Sequence, residues 1–438
     1  MTIQAEAARA AASERPATFG DALRFWLRLG FINFGGPAGQ IAMMHNELVD
    51  RRGWVSEQQF LRALNFCTLL PGPEAQQLAT YIGWRLHGIR GGVVAGALFI
   101  LPGALLMLLL SWMVATYGDV PLVQGIFYGI QPVVVAVVIE AVYRVGRRTL
   151  THPILLAIAV AAFVALTLLR LPFPAIVLAA AAAGLLAQRV APQIVKLAEP
   201  GASSVPSALP SARRNLTLVA VFGLLWALPY GLLLTWRGQD DVLVTIAQFF
   251  TQAAFVTFGG AYAVLSYVAD VAVNGYGWLT TAQMIKGLAL AESTPGPLIM
   301  VLQYVGYFGA YSNPGPFPPA VYGAIGALVS TYATFLPCFF FVFLGAPYIE
   351  ALSHSVRLQA ALTGVTAAVV GVILNLGVFF AGHVLFPRGM SLAGLDVLAL
   401  AIAAIAFVAL QRFKVPVYAA VLVGGIAGAL LAQQREQR

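Results

Sequence analysis

The chain has 438 residues, 60% hydrophobic and only 10% charged, with a mean hydropathy of +0.84; soluble domains use about 45–50% apolar and about 25% charged residues, so a soluble fold is excluded. The net charge of +8 invites a nucleic-acid reading, but Lys and Arg lie in short loops between apolar runs, where they act as topology signals. The runs are continuous rather than alternating segments of about ten residues, which argues against an outer-membrane barrel.

In chain order, residues 1–18 are Ala-rich and polar, carry Glu6, Arg9, Glu14 and Arg15, and lack the apolar centre of a cleavable signal. They read as a cytoplasmic tail. Residues 19–190 form a first membrane repeat. Phe34-Gly35-Gly36 predicts a helix break, because Gly-Gly allows close backbone approach. Ser56 and Gln59 then make a capping box that opens a new helix. From that cap to Leu70 there are 14 residues, about 21 Å at 1.5 Å per residue, too short to cross about 30 Å of hydrocarbon. Pro71-Gly72-Pro73 ends this helix inside the membrane: Pro71 removes a donor, Gly72 permits a tight turn, and Pro73 suits the first position of the next helix. Apolar runs at 93–114, 133–142, 154–169 and 175–186 follow, each near or within spanning length. Residues 191–214, with Pro-Gly-Ala-Ser-Ser-Val-Pro-Ser, read as a polar linker, and 215–236 as an additional transmembrane helix.

Residues 237–438 form the second repeat. A shift of 224 lays residues 25–73 on 249–297 without a gap, with 13 of 49 positions identical. These identities are mostly structural punctuation, including Phe34-Gly35-Gly36 on Phe258-Gly259-Gly260 and Pro71-Gly72-Pro73 on Pro295-Gly296-Pro297. Thr280 with Gln283 repeats the capping box. Ile100-Leu101-Pro102 matches Phe335-Leu336-Pro337 at a shift of 235, which places about eleven extra residues within 312–319. Further apolar runs lie at 320–344 and 395–410. One extra span between two such repeats is the recipe for inversion. Arg51, Arg52, Arg85, Arg90, Arg144, Arg147, Arg148, Arg189, Lys196, Arg213 and Arg214 fall in loops placed inside, whereas the loops around 274–277 and 312–319 lack Lys and Arg. The positive-inside rule therefore favours inversion. Arg435 and Arg438 count against it. The expected fold is all-α and polytopic, with nine long spans, four shorter broken segments and two opposed Pro-Gly-Pro hairpins meeting near the midplane.

Each second half-helix presents unpaired amide donors and a positive dipole end at membrane depth, an arrangement suited to anions. The candidate anion contacts are Gly35, Gly36, Arg62, Gly72, Pro73, Glu74, Ala75, Gln76, Gly259, Gly260, Lys286, Glu292, Ser293, Thr294, Gly296 and Pro297. Arg62 and Lys286 are repeat equivalents, and each either attracts the anion or snorkels to the interface. Glu47 with Arg51 and Glu140 with Arg144 have i, i+4 spacing and read as ion pairs. Glu74 and Glu292 have no such partner and are candidates for a proton-linked or gating role. Cys67 and Cys338 suggest neither a disulfide nor a metal site, and the five histidines lack ligand spacing. No cofactor is called for.

Phe34-Gly-Gly-Pro-Ala, Arg52-Gly-Trp54, Leu70-Pro-Gly-Pro-Glu-Ala-Gln-Gln-Leu-Ala, Phe99-Ile-Leu-Pro102 and Ala291-Glu-Ser-Thr-Pro-Gly-Pro-Leu298 together resemble the chromate ion transporter family, as a long-chain, two-repeat member. Where members often have Cys-Gln before the first Pro-Gly-Pro, this chain has Cys67-Thr68. The resemblance implies export of chromate across the bacterial cytoplasmic (inner) membrane, giving resistance; the loop charges and the inverted arrangement put the N-terminus in the cytoplasm and the C-terminus in the periplasm. Sulfate, a similar tetrahedral dianion, is the rival substrate. The expected partners are the oxyanion and the lipid bilayer, not nucleic acid, with room for a homodimer. Each charge moved through 100 mV is worth about 2.3 kcal/mol, so a dianion leaving a negative-inside cell needs no further coupling. Broken helices permit a channel equally. An intramembrane enzyme would need a nucleophile, base or metal constellation that the sequence does not display.

Overall fold

The computed structural model describes residues 17–34, 36–194, 211–258, 260–349, 355–389 and 391–436. Gly35, Gly259, Lys196, Arg438, most of the N-terminal tail and the middle of the linker lie outside them. Every regular element among the described residues is helical. The first repeat contains α1 (Phe19–Ile32), α2 (Gly36–His45), α3 (Glu57–Cys67), α4 (Glu74–Tyr117), α5 (Pro121–Thr149), α6 (Pro153–Thr167) and α7 (Phe173–Val190). The additional helix is α8 (Ala212–Arg237), and the second repeat contains α9 (Val242–Val256), α10 (Ala261–Asp270), α11 (Thr281–Ser293), α12 (Val301–Tyr311), α13 (Pro319–Gly345), α14 (Val356–Leu385), α15 (Val397–Arg412) and α16 (Val417–Glu436).

The local rules account for these boundaries. Both capping boxes form: Gln59 N–H donates to Ser56 Oγ at 3.3 Å and Gln283 N–H to Thr280 Oγ1 at 3.2 Å, and each glutamine side chain accepts from the backbone of its cap residue. α3 has 11 residues and α11 has 13, about 16–20 Å long and well short of a span. α4 is two helices joined at His87 and Gly88, whose backbone angles are not helical. The second repeat has α12 and α13 there, separated by residues 312–318. The extra residues therefore lengthen that loop and also extend the start of α13. Phe317 anchors the loop by stacking on Tyr322 at 5.4 Å.

Seven helices among the described residues, not nine, are long and apolar enough to cross a membrane. α6 and α15 are apolar but have only 15 and 16 residues. Pro153 opens α6 and Pro172 follows its end, while Asp396 caps α15 and Pro416 follows. The residues just after them, Arg170 (φ 50°) and Lys414 (φ 52°), are repeat equivalents in the left-handed region.

The repeats embrace reciprocally. α5 packs on α15 and α16 of the second repeat, and its counterpart α14 packs on α6 and α7 of the first, with α5 and α14 also touching each other. Small residues let these backbones meet, as membrane interfaces favour. A Cβ on Gly129 would stand 2.9 Å from Gly428 Cα, and at the equivalent crossing one on Gly184 would stand 3.0 Å from Gly364 Cα. α8 lies outside this exchange, against α9 and α13, with no residue fully buried.

Candidate anion site

Four helix breaks lie at the contact between the repeats, each Pro-Gly-Pro turn bonded at or near a Gly-Gly break of the other repeat. Two are the Pro-Gly-Pro turns, where Gly72 (φ 126°) and Gly296 (φ 111°) occupy the region that favours glycine. The others are the Gly-Gly breaks, where Gly36 (φ 67°) opens α2 and Gly260 (φ 95°) caps α10. Pro73 and Pro297 sit at the N-cap, one position earlier than expected, because positive φ at the preceding glycine delays entry into the helix.

Each turn rests on the other repeat. Gly72 N–H donates to the Thr257 carbonyl at 2.8 Å. Thr257 is the repeat equivalent of Asn33, and Gln40 Nε2 bridges the Asn33 carbonyl at 2.8 Å and the Gly296 carbonyl at 2.6 Å. The flat faces also correspond: a Cβ on Gly72 would meet Cys338 Sγ at 2.8 Å, and one on Gly103 would meet the Pro295 carbonyl at 2.4 Å. Gly103 and Cys338 are equivalents at the shift of 235, each just past its mid-helix proline.

Buried side-chain amides line this crossing. Asn33, Gln40, Gln76 and Gln77 are fully buried and Gln303 nearly so. Their nitrogens hold protein acceptors: Asn33 on the Phe99 carbonyl (3.3 Å), Gln76 on Thr80 Oγ1 (3.0 Å), Gln77 on the Pro71 carbonyl (2.6 Å) and Gln303 on the Ala104 carbonyl (2.9 Å). Their oxygens find no donor among the described residues. Unpaired amide oxygens in a buried site are costly, which marks the crossing as a polar centre within an apolar body.

The helix starts that follow the two turns leave backbone amides ahead of their first helical bond. The first helical bond of α4 is Gln77 N–H to the Pro73 carbonyl at 3.1 Å, so the amides of Glu74, Ala75 and Gln76 precede it. In the second repeat Met300 N–H closes on the Pro297 carbonyl at 2.9 Å, which leaves Leu298 and Ile299 ahead of it. Among the candidate residues Gly72 has its own amide committed to Thr257. Ser293 and Thr294 turn their hydroxyls back to carbonyls of α11. Glu74 is half-buried at the start of α4, where the helix dipole favours a carboxylate. Glu292 is buried and does have a partner, since Tyr262 Oη donates to its Oε1 at 2.5 Å. The equivalents of these two residues are Thr68 and Ala38, so sequence symmetry gave no sign of the pair. Arg62 and Lys286 have unlike surroundings. Lys286 Nζ lies over the Phe127 ring at 5.0 Å, and Arg62 has no ion pair or hydrogen bond among the described residues. Glu47 does pair with Arg51 (2.7 Å), and Glu140 with Arg144 (3.3 Å).

Asn33, Gln40, Gln77, Tyr262 and Gln303 were not among the candidates from sequence; the signal they carried was a run of amide and phenol side chains inside apolar segments, where polar groups are expensive.

Comparison with known proteins gives the same outline. Over 425 residues the chain is 34% identical to a chromate transport protein of Pseudomonas aeruginosa, covering 95% of this chain and 93% of that one. It is 30% identical over 349 residues to a chromate transport protein of Cupriavidus metallidurans (80% and 79% covered), and 28% over 351 residues to a probable chromate transport protein of Synechococcus elongatus (80% and 81%). No solved structure matches it. The chromate transporter family model matches twice, over residues 20–185 and 244–429, once for each set of seven helix positions, and the chain is therefore a multi-pass membrane protein belonging to the chromate transporter family.

Proposed function

We propose that the protein exports chromate across the bacterial cytoplasmic membrane, holding the anion at the contact between the repeats where the four helix breaks lie. The observation that carries this reading is that each Pro-Gly-Pro turn, with the amide-rich start of a helix behind it, is bonded to the other repeat. The amides of Glu74, Ala75 and Gln76 face the anion from one side and those of Leu298 and Ile299 from the other, with two dipole ends adding to the attraction. Backbone donors read charge and tetrahedral shape, so sulfate competes. The buried amides of Gln40, Gln76 and Gln303 present either a donor or an acceptor depending on which way the group is turned, and so adjust to loaded and empty states. The repeats are inverted across the membrane, a reading supported by α8 standing between them and by the uneven loop charges. Rocking of one repeat against the other about the crossing then exposes the anion to each side in turn.

Chromate and sulfate flux into proteoliposomes at a set membrane potential, with and without a pH gradient, tests the proposal. Potential-driven chromate flux without a pH gradient, inhibited by sulfate, is expected. Chromate flux that needs a pH gradient would replace uniport with proton coupling and bring Glu74 and the Tyr262–Glu292 pair into the cycle. Transport of neither anion by folded protein would overturn the assignment.

A further inference from the structure

A cleft of about 300 Å³ opens between α1 and α2 on the outside of the first repeat. Its walls are Phe25, Leu29, Ile32, Ala42 and Met43, and its one uncompensated charge is Arg28. Glu47 also faces the cleft, but Arg51 and Arg52 hold its carboxylate at 2.7 and 3.3 Å. Arg28 has no ion pair or hydrogen bond among the described residues. Around it the exposed face of α1 carries Leu23, Leu27 and Phe31, each 42–58% exposed, and Arg24 one turn away, which reaches only Asp21 at 3.9 Å.

The second repeat shows what such a surface requires. Arg24 and Leu27 correspond to Gln248 and Thr251 of α9, and α8 is bonded to both: Gln248 Nε2 donates to Tyr230 Oη, and Trp226 Nε1 donates to Thr251 Oγ1 at 3.0 Å. Met43 corresponds to Tyr267, whose ring lies 5.4 Å from Phe249, the equivalent of Phe25, and stacks on Phe173 at 5.2 Å. The second repeat thus fills its cleft with a tyrosine and holds α8 against the adjoining helix. Among the described residues the first repeat has no counterpart of α8, and it has a smaller side chain in the cleft and arginines where α9 has neutral amides.

We infer that this cleft binds an anionic phospholipid of the surrounding bilayer, its acyl chain against Phe25, Leu29 and Met43 and its phosphate on Arg28 and Arg24. The size falls in the range of ligand pockets. An apolar slot beside two exposed cations matches a lipid in both chemistry and charge. The lipid does for α1 what α8 does for α9. This inference is independent of the substrate and of the anion site.

Native mass spectrometry of the full-length protein in non-ionic detergent, titrated with phosphatidylglycerol or with phosphatidylcholine of the same chains, tests it. The wild type is expected to retain phosphatidylglycerol about tenfold better, as charge-assisted contacts imply. Arg28→Gln should lose that preference. Met43→Tyr, which leaves the charges and fills the slot, should lose retention of the lipid itself. Both variants should melt with the wild type, which separates lipid loss from misfolding. Equal retention of the two lipids, or unchanged retention in both variants, overturns the inference. So does displacement of the lipid by excess inorganic phosphate, since the site would then be one for free oxyanion, or a dimer that Met43→Tyr dissociates, since a second copy would then own the face.

Discussion

A side chain at position 72 has no room. The backbone there has φ 126°, and a Cβ would stand 2.7 Å from Gln77 Nε2 and 2.8 Å from Cys338 Sγ. Strain of this kind costs on the order of 1–3 kcal/mol, and the turn it distorts is the one that presents the amides of α4. Gly72→Val is expected to cut chromate flux at least about tenfold, the equivalent of about 1.4 kcal/mol, with membrane abundance retained. Gly223 of α8, with nothing within 4 Å of its Cβ position, supplies the control, and Gly223→Val should leave flux unchanged. Gln40→Leu removes the bridge between the Asn33 and Gly296 carbonyls. Two buried acceptors lose their donor at about 1–3 kcal/mol each, so both thermal stability and flux should fall. A melting temperature equal to the wild type would show that water replaces the bridge without loss. Gln76→Ala, which leaves the backbone donors in place, should do less.

Among the elements, α3 and α11 owe their starts to caps. Ser56→Ala and Thr280→Ala each remove a side-chain acceptor from an N3 amide and should cost about 1 kcal/mol, read as a lowered melting temperature. No change in either would mean that packing alone fixes these helix starts. These elements were legible in the sequence because everything that makes them is local: Ser/Thr-x-x-Gln at one end and Pro-Gly-Pro at the other, with positive φ at the glycine between the prolines. The shortness of α6 and α15 was less legible. Their apolar runs continue to Leu169 and Leu410, and only the left-handed Arg170 and Lys414, with the prolines after them, show where the chain turns. The hinge in α4 at His87 and Gly88 was more legible, since Arg85 and Arg90 bracket it and read as a loop; what they do not show is that two non-helical residues suffice for the turn.

On the scale of the whole molecule, the duplication was legible but the way the copies hold each other was not. Gln40 meets Gly296 across 256 residues of sequence, and the equivalent of Gln40 in the second repeat is Val264, so neither repetition nor periodicity reveals the contact. Inversion predicts a simple outcome for labelling. Cys67 and Cys338 are buried, so Asp50→Cys and Asn274→Cys, at exposed equivalent positions, can be compared in the otherwise native chain. An impermeant maleimide should reach them from opposite sides of the membrane. Reaction from the same side would reject inversion and leave the reciprocal packing of α5 and α14 to be explained by parallel repeats. The central claim, that the two crossed turns make one anion site, is tested most directly by equilibrium binding of chromate to the purified full-length protein and to its Gly72→Val and Gly296→Val variants. The account predicts about one chromate per chain, displaced by sulfate and lost from each single variant, because one anion takes donors from both helix starts. Two sites per chain, of which each variant removes one, would contradict it.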